Sequence, residues 1–127
     1  MTLQSGSATE PLNQSDVVLW EQEHEFCRSV ETLLTGTSYV IGHVLGKVTA
    51  SGKYAPHDAG LVDGSEDAAA ICLVNIDATT GDEVELVLDK GPAIVKADNL
   101  TWKAGIAGGD KTAGIAALAV LGIEVRS

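Results

Sequence analysis

Basic side chains are scarce in this chain: eight Lys and Arg stand against eighteen Asp and Glu among 127 residues, a formal net charge of −10 at pH 7. That balance argues against a surface that must neutralise nucleic-acid phosphates, and against docking on an anionic membrane for the same reason. Aromatics make up only 4% of the sequence, too few for a stacking or sugar-binding platform, so the core must be mostly aliphatic. Long apolar runs are missing too. The longest stretch of small and apolar residues, Ala113 to Ile123, is well short of the roughly 18 needed to span a bilayer. Met1 to Glu10 holds neither Lys nor Arg nor an apolar block, so no secretion signal or transit peptide is expected. The two cysteines, Cys27 and Cys72, are far apart and outside any CxxC pattern. Reduced thiols in a cytosol-like compartment are the expectation, with a disulfide between the two left open.

What remains is a chain long enough for one core and too short for two. Met1 to Asp16 is rich in Ser, Thr, Gln, Asn and Glu and lacks apolar periodicity, so it reads as a flexible arm that cannot bury enough surface to offset its ordering entropy. From Val17 to Leu34 a helical stripe (Leu19, Trp20, Phe26, Val30, Leu33) competes with a strand-like alternation (Phe26, Arg28, Val30, Thr32). Extended structure is the preferred reading. Between Gly36 and Lys96 no segment is long enough and free enough of Gly and Pro for a good helix.

Val44 to Ala50, Ser51-Gly52 and Lys53 to Ala55 read as a hairpin. Ala68 to Ile76 and the alternating Val84, Leu86 and Leu88 read as two more strands, with Lys90-Gly91 turning into Ala93 to Lys96. Near the end, Asp110 is the expected N-cap of a helix Lys111 to Leu121, closed by Gly122. Ile115, Leu118 and Leu121 form its apolar side, Gly114 weakens it by about 1 kcal/mol relative to Ala, and Ile123 to Arg126 alternates as a closing strand. The fold class is mainly β with one short C-terminal helix.

Candidate chemistry is thin. Gly46 to Tyr54 imitates a phosphate loop, but five residues instead of four separate Gly46 from Gly52-Lys53, and Tyr54 replaces the hydroxyl that would bind Mg²⁺. His24 and Cys27, flanked by Glu23 and Glu25, contain zinc-type donors without the paired spacing a structural site needs. His43 and His57 sit in turns, away from any recognised nucleophile motif. A small domain presenting a lysine for biotin or lipoate is the alternative function. Lys53 and Lys90 are its best candidates, and neither has the flanking signature such carriers use.

The ordered succession Gly42-His43-Val44-Leu45-Gly46-Lys47-Val48-Thr49, Ser51-Gly52-Lys53-Tyr54, Asp63-Gly64-Ser65, Ala68-Ala69-Ala70-Ile71, Leu100-Thr101-Trp102, Gly105-Ile106 and Leu121 to Arg126 resembles the head decoration protein D family of tailed bacteriophages. It departs from that family at Lys103, where a Pro commonly follows the Trp. The resemblance implies a small β-barrel, β-tulip-like domain over residues 26–127 and a capsid-binding arm over residues 1–25. It also implies a non-enzymatic cement protein without cofactor or metal. Such a protein binds as a homotrimer at threefold and quasi-threefold sites of the expanded head, contacts the major capsid protein, and ends up on the outer surface of the virion after synthesis in the host cytoplasm. It engages neither nucleic acid nor membrane.

Within the arm, Pro11, Leu12, Val17, Val18, Leu19 and Trp20 are the candidate capsid contacts, because Val17 to Trp20 form an apolar cluster that includes a hot-spot residue type. The alternative is that Val17 to Trp20 enter the domain's own core. Trp102, Ala113, Ala116 and Ala117 are candidate trimer contacts, with Trp102 equally compatible with the core.

Overall fold

The computed structural model describes residues 13–127. Along the chain come α1 (Gln14–Val17), β1 (Val18–Glu21), α2 (His24–Cys27), β2 (Arg28–Leu33), β3 (Ser38–Tyr39), β4 (Val44–Lys47) and β5 (Tyr54–Pro56). They are followed by β6 (Ala68–Cys72), β7 (Ile76–Asp77), β8 (Glu83–Leu88), β9 (Ala93–Lys96), a 3-10 turn Ala97–Asn99, α3 (Gly108–Val120) and β10 (Ile123–Arg126). Five strands close a barrel in the order β2-β5-β4-β6-β8. Its longest seam is the antiparallel β2–β8 pair, running from Arg28↔Leu88 to Leu33↔Glu83. Its shortest is the single parallel pair Leu33↔Tyr54. Beside the barrel lies a three-stranded sheet with β9 in the middle, β1 antiparallel to it and β10 parallel.

Two cores follow from strand alternation, since successive side chains point to opposite faces. Leu33, Leu45, Tyr54, Ala70, Cys72 and Val87 face one another inside the barrel with Tyr39 and Ala78. Their neighbours Val44, Ile71 and Leu88 point the other way and meet Val17, Val18, Ala93, Val95, Leu118 and Ile123 from the outer sheet and α3. Each fully buried aliphatic side chain contributes about 1.5–3 kcal/mol. The outer core is therefore the glue between barrel, sheet and helix.

Gly46, central in β4, is buried against the backbone of Ser65, where a Cβ would clash with the Ser65 carbonyl. It belongs to the sheet and not to a phosphate loop. The β4–β5 hairpin forms as the turn chemistry predicts, with Gly52 at φ +74° and Val48 N–H donating to Lys53 O at 2.8 Å. Gly122 ends the helix in the left-handed region at φ +90°.

Two expectations need correction. The helix starts at Gly108, three residues before Lys111, and Asp110 is not its N-cap: Ala107 holds that position with no side-chain cap. Asp110 lies in the first turn, where its charge complements the helix dipole. The 25/26 boundary is not where folded structure begins, because Val17 is 0% exposed and Val18 9%, and β1 pairs with β9. The cause is local: β9 offers a free edge, and these two valines are the apolar side chains that close the outer core over it.

Candidate interaction surface

Segment 13–21 is strapped onto the domain by polar contacts as well as by its two valines. Asn13 and Asp16 form a reciprocal capping box, Asp16 N–H donating to Asn13 Oδ1 at 3.1 Å and Asn13 N–H to Asp16 Oδ2 at 2.9 Å. Asn99 Nδ2 donates to Asp16 O at 2.7 Å and Gln14 Nε2 to Leu73 O at 3.0 Å. The Arg28 guanidinium donates through Nε to both Glu21 carboxylate oxygens, at 3.0 and 3.1 Å, and through Nη1 to Gln14 Oε1 at 2.8 Å. The Arg28 and Glu21 side chains are only 15% and 4% exposed, so the pair is withdrawn from solvent screening.

The β1–β9 register shifts between Val18 and Trp20, which leaves Leu19 as the extra residue of a bulge and re-aims the strand outward. Leu19 and Trp20 are 51% and 50% exposed. Beside them opens a groove of about 770 Å³ whose apolar walls are Val18, Leu19, Trp20 and Ile41, with Asn13, Gln14, Ser15, Glu21 and Arg28 as its polar part. The candidate contacts therefore divide: Val17 and Val18 are core residues, Leu19 and Trp20 line an open surface, and Pro11 and Leu12 lie outside the described residues.

On the other candidate surface, Trp102 is half-buried and packs against the outer core. Its ring meets His57 edge-on at 5.6 Å. His57 is 2% exposed and its Nε2 lies 3.0 Å from Glu66 O. Ala113 and Ala116 are exposed on α3 and Ala117 is half-buried. Val120, which shares the helical face of Ala113 and Ala116 by spacing, is 86% exposed.

The remaining candidates have ordinary surroundings. Cys27 is buried, its thiol 3.6 Å from Pro92 O, while Glu23 and Glu25 are exposed. Among the described residues no group of three His, Cys, Asp or Glu could hold a metal. Cys27 and Cys72 are both free and buried. His43 is held below the usual imidazole range by burial. Lys53 is tied to Asp82 at 2.6 Å and Lys90 leans over the Phe26 ring at 5.4 Å, with the two lysine side chains 39% and 43% exposed.

Sequence reasoning missed the Arg28 clasp and the exposure of Val120. Arg28 had a visible signal: it is the only Lys or Arg before Lys47, in a stretch that carries Asp16, Glu21, Glu23, Glu25 and Glu31.

Compared with known families, residues 7–123 match the model described as Bacteriophage lambda head decoration protein D. No curated protein matches the chain.

Proposed function

The chain belongs to the bacteriophage lambda head decoration protein D family, and from that premise we propose that it binds the outside of the expanded phage head as a homotrimer at threefold and quasi-threefold sites. Capsid decoration is the role of the family, a structural one without catalysis. The finer reading is that the protein bridges major capsid subunits and holds them against internal DNA pressure. It is made in the host cytoplasm and finishes on the virion surface.

The observation that carries this reading is the half-exposed pair Leu19–Trp20 on edge strand β1, beside an open groove. We assign the capsid contact to segment 1–25. Val17 and Val18 root that segment in the domain, Leu19 and Trp20 present apolar surface, and Pro11 and Leu12 extend the contact. Trp is a residue type that dominates binding energy when it is buried in a partner. Three such contacts on one trimer act at high effective concentration, so modest individual affinities add up to firm attachment. Preference for the expanded head follows if the docking surface forms only on expansion, because a switch requires differential affinity for its two states. The exposed α3 face of Ala113, Ala116 and Val120 is the proposed trimer contact, where small side chains let a neighbour approach closely.

Purified virions test the role. The protein should be present in amounts comparable to the major capsid protein, and heads that lack it should rupture at lower osmotic stress. Virions free of the protein, or equally robust heads without it, would reject the reading.

A further inference from the structure

Resting on the capsid-decoration reading, the geometry points to Arg28 as the positioning residue of the docking edge. By clasping Glu21 and Gln14 it holds β1 so that Leu19 and Trp20 face a single occupant, one extended apolar segment of the capsid protein laid alongside β1.

Arg28 opens β2 on the barrel, whereas Glu21 ends β1 on the neighbouring sheet and Gln14 starts α1. Its Nε and Nη2 engage the Glu21 carboxylate and its Nη1 engages Gln14, so one planar group fixes both ends of the segment that bears Leu19 and Trp20. Gln14 passes the restraint on to Leu73 O in the loop after β6. No other Lys or Arg precedes Lys47 in the sequence.

The rest of the attachment runs through β9, Asn99 and the outer core. Among the described residues β1 pairs on one side only, through a ladder interrupted at Leu19. Val17, Val18, the pairs Trp20↔Ile94 and Glu21↔Ala93, and the bond from Gln22 N–H to Pro92 O keep the segment on the domain without Arg28, and the clasp adds the side-chain tie from β1 to the barrel strand β2.

The occupant follows from the same features. An edge strand presents backbone donors and acceptors to an added strand. The cation beside the groove is already engaged by Glu21 and Gln14, so an acidic partner would gain little from it. Leu19, Trp20 and Ile41 supply apolar wall. An extended apolar strand satisfies both the backbone edge and that wall, and family membership supplies its source, the head shell.

The test uses expanded heads lacking this protein, from the phage that encodes it, and measures the half-saturating concentration of the full-length chain and its variants. Trp20→Ala should weaken binding by about 30-fold and Arg28→Met by roughly tenfold. In the Trp20→Ala background, Arg28→Met should cost less than about twofold more, because it acts through Trp20. A fourth variant, Arg28→Met with Glu21→Leu, removes the clasp without leaving a buried charge. It should melt within a few degrees of the parent and still bind roughly tenfold more weakly.

Additive losses from Arg28→Met and Trp20→Ala would overturn the proposal, as would full binding by the fourth variant. Unchanged binding by Trp20→Ala alongside a parent that binds would overturn it while leaving capsid decoration intact. A parent that fails to bind would reject both.

Discussion

Gly114 lies directly under the Trp102 ring: a Cβ built at residue 114 would come within 2.5 Å of the ring carbon Cζ3. A glycine that the helix would otherwise exchange for alanine is thus required by tertiary packing. Gly114→Ala gains about 1 kcal/mol of helix propensity and must push the ring off its seat on the outer core, where overpacking costs about 1–3 kcal/mol. The expected net effect is destabilisation, read as a fall in Tm of several degrees by calorimetry. A rise in Tm would show that Trp102 moves freely.

Glu31 and Glu85 are direct cross-strand partners on β2 and β8. Like charges so placed repel, at a cost of a few tenths of a kcal/mol up to about 1 kcal/mol. Ser29 Oγ lies 2.8 Å from Asp89 Oδ2 and 3.0 Å from Glu31 Oε2, with its single hydrogen shared between them, so Glu85 is the member to replace. Glu85→Gln should raise stability by about 0.5 kcal/mol in low salt and by less at 1 M NaCl. Denaturant titration at the two salt concentrations checks both the sign and the trend.

Acid and alkali should each unfold the protein through groups that can be named. Hydrogen bonds from Ser65 hold Asp63 below the usual carboxylate range, those from Thr79 do so for Asp77, and Lys53 and the Thr35 N–H do so for Asp82. A carboxyl that binds its proton at lower pH when folded than when unfolded contributes stability above about pH 4 and loses it as pH falls through the folded value. Buried His43, also shifted down, adds a decline that starts below about pH 6.5. At the other end, burial foremost pushes Tyr39 up to about 12. The unfolded chain ionises first, near pH 10, so stability is lost from there up to the folded value. Tm measured from pH 3 to 12 should fall at both ends, and Tyr39→Phe should flatten the alkaline limb. An alkaline limb unchanged by Tyr39→Phe would contradict this assignment.

The helix face proposed for trimer contact has its own test. Ala116 is exposed in the protomer, so Ala116→Arg should leave the unfolding free energy within about 0.5 kcal/mol of the parent while inserting a large charged group into the proposed interface. In sedimentation velocity the parent should run as the proposed trimer and the variant should shift toward monomer. An unaltered trimer would move the interface elsewhere.

How far the sequence revealed the fold depended on whether a feature was local. Gly52 in the hairpin, Gly122 after α3, and the alternation of Val84, Leu86 and Leu88 or of Ile123 and Val125 are each decided within a few residues, and those elements formed as read. The start of α3 was hidden because Gly108 and Gly109 favour a loop on propensity alone, yet both lie within the helix. Val17 to Trp20 could not be divided into inner and outer residues, since four consecutive apolar positions carry no period and the bulge at Leu19 shifts the faces. The clasp joins residues 14, 21 and 28 across three elements. Only the isolation of Arg28 among acidic residues hinted at it.

Capsid decoration is tested most directly by mixing the full-length protein with expanded and unexpanded heads of its own phage, both lacking it, and measuring co-sedimentation. Saturable binding to expanded heads alone, strongly reduced by Trp20→Ala, is the predicted result. Equal binding to both forms, or to neither, would contradict the account.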